Sequence, residues 1–314
     1  MRLREIKSHL RKTGEPAYHP DMAEKTTVSI LGLGVMGSGM ATRLLSRGFV
    51  VTVFNRSPQK AEALRSLGAA VASTPYEAAG RSTFIISMLA DDEASREVWL
   101  GKDGALAGAT PGSLLIESST VTVDWIHELA AAAAARGLDL LDAPVAGSKV
   151  AAASGELTYL VGGSESVLER ARPVLSNLSR EINHLGPTGS GALMKLINNY
   201  LCGIQAVGLA EAIAAIERSS LNREKAVGVL TGGAPGSPIV KMLAARMLAR
   251  NYDTNFAMKL IAKDIRYAHH QFGQTDIGQA ALGALQKGID AGLGEQDFSA
   301  VVESLRAETI TPSP

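Results

Sequence analysis

Cysteine is nearly absent from this chain: Cys202 is the only one in 314 residues. A lone thiol excludes a disulfide framework and a cysteine-rich metal site, and it suits a reducing, cytoplasmic setting. Net charge is absent as well. The 31 basic and 31 acidic residues cancel and place the pI near 7.0, which argues against a nucleic-acid partner. No apolar run approaches the roughly 18 residues of a membrane span. Internal repeats are also missing, and the one biased tract, the alanines at 131–135, is simply good helix former. What is left is 46% hydrophobic and long enough for about two domains, the composition of a globular enzyme or binding protein.

The first 26 residues differ from the rest: they are polar, with five basic residues among the first twelve. Leu3, Ile6 and Leu10 lie at helical spacing, which admits a short amphipathic turn or a transit peptide. The early Glu5 and the lack of an apolar centre point instead to a flexible extension, and Met22 offers an alternative start. From Thr26 onward, apolar runs at 27–33, 50–54, 83–89, 113–117 and 138–144 alternate with helical patterns near 36–47, 58–67 and 122–136. Two further strand candidates, 157–163 and 182–185, flank a helix near 164–177. Such alternation predicts the doubly wound α/β class, a mainly parallel sheet covered on both faces. After Gly189 no strand pattern returns. A proline-free stretch from Ser190 to about Ser219 is apolar almost all round, which predicts a long, buried helix. "GGAPGSP" (232–238) then breaks the chain before three or four more helices. The expected organisation is a Rossmann-like unit at 27–188 and an all-helical unit at 189–314, joined by the long helix.

"LGLGVMGSGMATRLL" (31–45) sets Gly32, Gly34 and Gly37 in the G-x-G-x-x-G spacing, with Val35 and Met36 between them. An apolar strand precedes it and an apolar-periodic helix follows. In that context the glycines permit a tight turn, a close approach to a pyrophosphate and close helix–strand packing, with the phosphates at the positive end of the helix. About twenty residues on, a carboxylate usually marks a cofactor that lacks the 2′-phosphate. This chain has Asn55, Arg56 and Ser57 there. A guanidinium pairs with a phosphate that a carboxylate would repel, so the expected cofactor is NADP(H).

Taken together, "GLGVMGSGMA", "DAPVAGS" (142–148), "GSGALMKLINN" (189–199) and "KD" (263–264) resemble, in order and spacing, the signatures of the β-hydroxyacid dehydrogenases. The likeness runs from residue 27 to about 310. Through "NRS", "GSK" and the spacing to Phe256 the chain is most similar to the NADPH-dependent glyoxylate/succinic semialdehyde reductases, with the 3-hydroxyisobutyrate dehydrogenases close by. The resemblance implies a Rossmann-like domain followed by an all-α C-terminal domain, an active site between them and a homo-oligomer, dimer or tetramer. It implies that Lys195 is catalytic with Asn199 one turn later, that Thr120, Phe256 and Asp264 line the substrate site, and that Met88, Leu89, Thr120 and Lys263 adjoin the cofactor. One departure stands out. The family commonly has serine where this chain has Ala146, and that hydroxyl helps hold the substrate carboxylate. The Gly147 backbone or Ser148 would have to replace it.

Reduction of an aldehyde needs a hydride at carbon and a proton at oxygen. The nicotinamide supplies the first. Lys195 suits the second, because a buried ammonium has a lowered pKa and stabilises a forming alkoxide. Asn199, four residues on, shares its helical face and is placed to hold the lysine or the substrate; Asn198 is expected to point toward the adjoining domain. His127, His184, His269 and His270 lack companions at metal-ligand spacing, and 91–93 reads as a helix start, so no metal is expected. Lys149 reads as a solvated turn residue or an attractor of anionic substrate. Three functions follow: reduction of a small carboxylate-bearing aldehyde such as succinic semialdehyde or glyoxylate, oxidation of a 3-hydroxy acid such as 3-hydroxyisobutyrate, or dinucleotide-dependent regulation without turnover. Imine reductases share the architecture, but Lys195 argues for carbonyl chemistry.

Overall fold

Successive side chains of a strand point to opposite faces, and a parallel sheet needs both faces covered. The first strand meets that demand directly. Val28 and Ile30 enter one core while Leu31 enters the other. The same division recurs at Ile86 and Ile85, and at Leu114 and Ile116 against Leu115.

The computed structural model describes residues 26–307; the expected flexible extension and Met22 lie outside the described residues. Strands β1 (Thr27–Leu31), β2 (Val50–Phe54), β3 (Ala70–Val71), β4 (Phe84–Ser87), β5 (Leu114–Glu117) and β6 (Asp139–Asp142) run parallel in the order β3-β2-β1-β4-β5-β6. The sheet continues through β7 (Val145–Ala146), β8 (Leu157–Gly162) and β9 (Ser179–Gly186), with β8 antiparallel to β6 and β7 and parallel to β9. Strand order reverses between β1 and β4, which opens the crevice where doubly wound sheets take their ligands. The two-residue strands β3 and β7 were not expected from the sequence, because two residues display no period.

Helices α1 (Val35–Ser46), α2 (Pro58–Arg65), α3 (Pro75–Ala79), α4 (Asp92–Leu100), α5 (Ala105–Gly108), α6 (Val123–Ala134), α7 (Lys149–Ser154) and α8 (Glu165–Leu178) flank the sheet. α1, α7 and α8 cover one face through Met40, Leu44, Ala152 and Leu175, and α4 and α6 cover the other through Trp99, Trp125 and Leu129. Then come α9 (Ser190–Arg218), α10 (Arg223–Gly232), α11 (Pro238–Ala249), α12 (Met258–Phe272), α13 (Asp276–Gly288) and α14 (Val301–Ala307). Their apolar faces close a separate core around Ala210, Ile213, Leu243, Ile261 and Leu285. The chain is thus a Rossmann-like α/β domain followed by a helical one.

Two expectations about α9 are corrected. Its apolar surface is not buried all round: Met194, Ile197 and Leu201 stand exposed. It is also long and apolar enough to cross a membrane by length and composition, although half of its apolar window is buried inside the protein. Isolated polar residues such as Asn198, Asn199 and Gln205 interrupt the runs without lowering the average enough to hide the helix from that test.

The joint between the domains is a carboxylate. Asp142, at the end of β6 and fully buried, accepts hydrogen bonds from Gly189 N (2.8 Å) and Ala192 N (2.9 Å) at the start of α9. These are orphan donors of the helix terminus, at the positive end of its dipole. Gly191 has no alternative: a Cβ there would strike the Leu160 and Asp142 carbonyl oxygens. Burial raises the Asp142 pKa, and the backbone N–H groups of Gly189, Ala192 and Gly191 pull it back. Asp142→Ala is expected to cost at least about 2 kcal/mol in urea unfolding, since it leaves two buried donors unpaired. A loss below about 0.5 kcal/mol would show that the cap carries little.

Candidate active site

Four chain segments converge at the C-terminal edge of the sheet: the glycine turn after β1, the loops after β4 and β5, and the start of α9. Gly32 has φ +100°, a conformation that favours glycine, and its N–H bonds Phe54 O at 2.9 Å. A Cβ on Gly37 would strike Gly32 O, whereas Gly34 faces open space. Gly34 also caps α1 without a side chain, so the first N–H groups of the helix are left for an anion. This cradle fits a dinucleotide pyrophosphate at Gly34, Val35, Met36 and Gly37.

Asn55 ties the turn to the end of β2. Its Oδ1 accepts from Leu33 N (2.9 Å) and its Nδ2 donates to Ser57 O (3.0 Å). An aspartate could accept the first bond but could not make the second. Arg56 and Ser57 are exposed, and the Arg56 guanidinium has no hydrogen bond or ion pair among the described residues. Lys60, equally exposed and unpartnered there, joins this basic corner. Sequence reasoning missed it, though its place three residues past the Ser57 cap was the available signal.

The loops after β4 and β5 hold each other. Leu89 N donates to Ser119 Oγ at 2.7 Å, and Met88 packs against the Gly32 turn. Thr120 presents its carbonyl to α12, where Lys263 Nζ donates to it at 2.7 Å across the domain boundary. The Lys263 ammonium also lies 2.8 Å from Asp264 Oδ1, at an angle unsuited to a hydrogen bond, and 4.4 Å above the Tyr267 ring. Lys263 is therefore an interdomain clasp, in contact with the loop it was expected to share with the cofactor.

Asp264 Oδ2 accepts from Asn199 Nδ2 at 2.6 Å, with both residues buried. Asn199 is consequently committed to Asp264 and does not hold Lys195. Asn198 is a correction: it does not reach the other domain but donates along its own helix, to Asn199 Oδ1 (3.0 Å) and toward Cys202 Sγ (3.9 Å). With its Nδ2 given to Asp264, Asn199 has its Oδ1 left to accept from the adjacent amide. Lys195, on the second turn of α9, is left without a hydrogen bond or ion pair among the described residues. Its side chain keeps some surface open while protein crowds its charged end. Burial lowers its pKa, Asp264 and Cys202 oppose that, and Lys263 adds to it. A cation so placed is primed to give up a proton.

The remaining expected residues make contacts of their own. Ala146 pairs with Thr158 across β7 and β8, and Gly147 takes φ +142°. Ser148 caps α7, its Oγ accepting from Ala151 N at 3.3 Å, which leaves its hydroxyl proton free to donate. Lys149 follows, exposed. Phe256 packs edge-on against Phe298 at 5.5 Å, and its N–H is held by buried Asp297 at 3.1 Å. Of the histidines, His127 and His184 meet backbone carbonyls, His269 is buried, and exposed His270 pairs with Asp124 at 2.9 Å. Asp91 caps α4 by accepting from Ala94 N at 2.8 Å.

Residues 27–186 match the NAD-binding domain of 6-phosphogluconate dehydrogenase, and residues 189–305 match the NAD-binding domain of NADP-dependent 3-hydroxyisobutyrate dehydrogenase. The chain is 33% identical to the NAD-dependent L-serine dehydrogenase of Pseudomonas aeruginosa, over 87% of this chain and 96% of that one. It is 36% identical to the chloroplastic glyoxylate/succinic semialdehyde reductase 2 of Arabidopsis thaliana, over 90% and 81%. The structure of 3-hydroxyisobutyrate dehydrogenase from Mycobacterium tuberculosis with L-serine superposes with a TM-score of 0.81 at 34% identity, covering 90% and 99%. A glycine cradle beneath one domain and a partnerless lysine at the head of the other therefore define an NAD(P)-dependent oxidoreductase. The chain belongs to the β-hydroxyacid dehydrogenase family.

Gly37→Ala drives a methyl group into the Gly32 carbonyl. It is expected to cost about 1–3 kcal/mol of stability and to weaken dinucleotide binding at least about tenfold, by thermal unfolding and fluorescence titration. An unchanged dissociation constant would show that the turn has room to spare.

Proposed function

We propose that the protein is an NADPH-dependent reductase of a small carboxylate-bearing aldehyde, of the succinic semialdehyde or glyoxylate kind. The observation that carries this reading is Lys195: a crowded ammonium with no hydrogen bond or ion pair among the described residues, close enough to Asp264 to feel its charge. The bound dinucleotide supplies a hydride to the carbonyl carbon. Lys195 donates a hydrogen bond to the carbonyl oxygen and then its proton as charge develops there. Asp264 keeps the ammonium protonated against its burial, and Asn199 keeps Asp264 in place. Thr120, Gly147, Ser148 and Phe256 complete the substrate site in this reading, and Lys149 adds positive charge near the substrate carboxylate. Ala146 supplies no hydroxyl, which puts more of the anchoring on the Gly147 backbone and the Ser148 proton.

The relatives that act on L-serine and 3-hydroxyisobutyrate favour a second reading, oxidation of a small 3-hydroxy acid by the same residues in reverse. The exposed Arg56, Ser57 and Lys60 support NADP(H) as the cofactor. We further take 27–188 as the dinucleotide unit and 189–314 as the helical one. A homo-oligomer, dimer or tetramer, would cover Met194, Ile197 and Leu201, and the lone cysteine suits the cytoplasm.

Lys195→Ala should abolish turnover of every short semialdehyde in an NADPH-oxidation assay, and full activity would sink the mechanism. For the unaltered protein, kcat/KM for reduction should hold at low pH and fall as pH rises through the lowered lysine pKa, because only the ammonium can donate. Oxidation should rise through the same value. A limb at the ordinary lysine pKa would separate the chemistry from Lys195.

Cofactor choice is tested independently. NADPH should be preferred over NADH at least about tenfold, roughly 1.4 kcal/mol, and Arg56→Ala should narrow the margin. Equal use of both by the unaltered protein would overturn the reading of Arg56.

A further inference from the structure

Beneath the two loops lies a carboxylate that the mechanism above does not use. Glu117 ends β5, is fully buried and faces the Trp99–Trp125 side of the sheet. Its Oε2 accepts from Ser95 Oγ (2.5 Å) and Trp99 Nε1 (2.8 Å), and its Oε1 accepts from Ser119 N (2.8 Å). Trp125 Nε1 donates in turn to Ser95 Oγ at 2.8 Å. No cation pairs with it among the described residues. Burying a carboxylate this way is expensive, and an apolar residue of similar volume often stabilises a core better. Stability alone therefore does not explain its presence.

The contacts beyond Glu117 show where it acts. Ser119, whose N–H it takes, accepts Leu89 N on its own hydroxyl, so one carboxylate governs the loops after β4 and β5 together. The next residue, Thr120, anchors the Lys263 ammonium, which sits against Asp264. We propose that Glu117 is a positioning residue of the reaction: it holds the Leu89 and Ser119–Thr120 loops, and through Thr120 the Lys263 ammonium, in place beside Lys195. Both carboxylate oxygens face an N–H donor, the Ser119 amide on one side and, on the other, the Trp99 indole, which also reaches Ser87 Oγ at 3.1 Å. A glutamine satisfies only one of them and sets an NH2 group against the other. This proposal rests on the reading of Lys195 as proton donor.

The chain holds two tryptophans, Trp99 and Trp125, and both belong to this network. Tryptophan emission of the ligand-free protein therefore reports on it without turnover. Glu117→Gln is expected to shift that emission, to lower kcat at least about tenfold, and to change the NADPH dissociation constant less than about threefold. Lys263 disfavours the charged form of Lys195, whereas Asp264 and Cys202 favour it. Release of Lys263 should thus move the pH limb of kcat/KM upward. Glu117→Asp should recover much of the rate and the position of the limb. Ser29→Ala removes buried hydrogen bonds to Ala78 O and Ser82 Oγ, away from the site, and serves as the control for lost stability. If Glu117→Gln does not fold, Ser119→Ala, which spares the carboxylate and frees Leu89 N, should reproduce the fall in kcat with the limb in place, because the Ser119 N–H still holds the Thr120 loop.

A Glu117→Gln protein that is merely less stable, like Ser29→Ala, with kcat and limb intact, would overturn the proposal. So would a loss of NADPH binding in step with kcat, or a silent Ser119→Ala if that variant has to stand in. An inactive Lys195→Ala beside a normal Glu117→Gln would remove this inference alone; an active Lys195→Ala would remove the reading beneath it.

Discussion

Asp142 takes the Gly189 and Ala192 N–H groups at the head of a 29-residue helix, and everything that helix carries is placed by this joint. The carboxylate comes from the sheet and the donors from the helical domain. The orientation of α9 is therefore set at its first turn, one turn ahead of Lys195. Gly191 permits the approach, and the helix dipole adds to the attraction. Without the joint the lysine would still lie on a helix, but the first turn of that helix would lose its bonds to the end of β6.

The site that follows is a distribution of charge among few groups. Lys263 donates to the Thr120 carbonyl and pairs by charge with Asp264, whose Oδ2 accepts from Asn199 while Oδ1 has no hydrogen bond among the described residues. Lys195 alone is unspent. At short range in a partly desolvated site such charges interact by several times their strength in water, so Asp264 counters part of the burial that would otherwise strip Lys195 of its proton. Below them Glu117 is satisfied without any cation, by indole, hydroxyl and amide donors. The upper layer balances charge and the lower layer fixes backbone. Ser119 and Thr120 join the two layers, and Tyr267, which accepts from Asp92 N at the start of α4, joins them a second time.

Much of this was legible in the residues. The βα alternation, the turn at Gly32 to Gly37 and the long helix from Ser190 appear close to their expected positions, because each depends on a local period or a local backbone demand. The partners of polar side chains were much less legible. Asn198 was expected to reach across the boundary and instead bonds its neighbour, while Asn199 serves Asp264 rather than Lys195. Lys60 carried only a weak positional signal. Glu117 carried none, since one acidic residue at a strand end looks the same whether solvent or two indoles surround it. The exposed stripe of Met194, Ile197 and Leu201 was hidden in an average, because a helix apolar on every side does not say which side meets protein.

By itself the sequence determined the alternation of elements, the glycine cradle, the basic corner at Arg56 and the presence of a lysine in an apolar helix. These are short-range properties, fixed by side-chain period, by φ and by the sign of a charge. Only the tertiary structure decided that Lys195 lacks a partner among the described residues, that Lys263 clasps Thr120, and that Glu117 lies beneath the loops after β4 and β5. Apart from the local bond of Glu117 to Ser119, those are pairings between residues 18 to 143 positions apart in the chain, and which of several possible donors a buried acceptor meets depends on how whole elements pack.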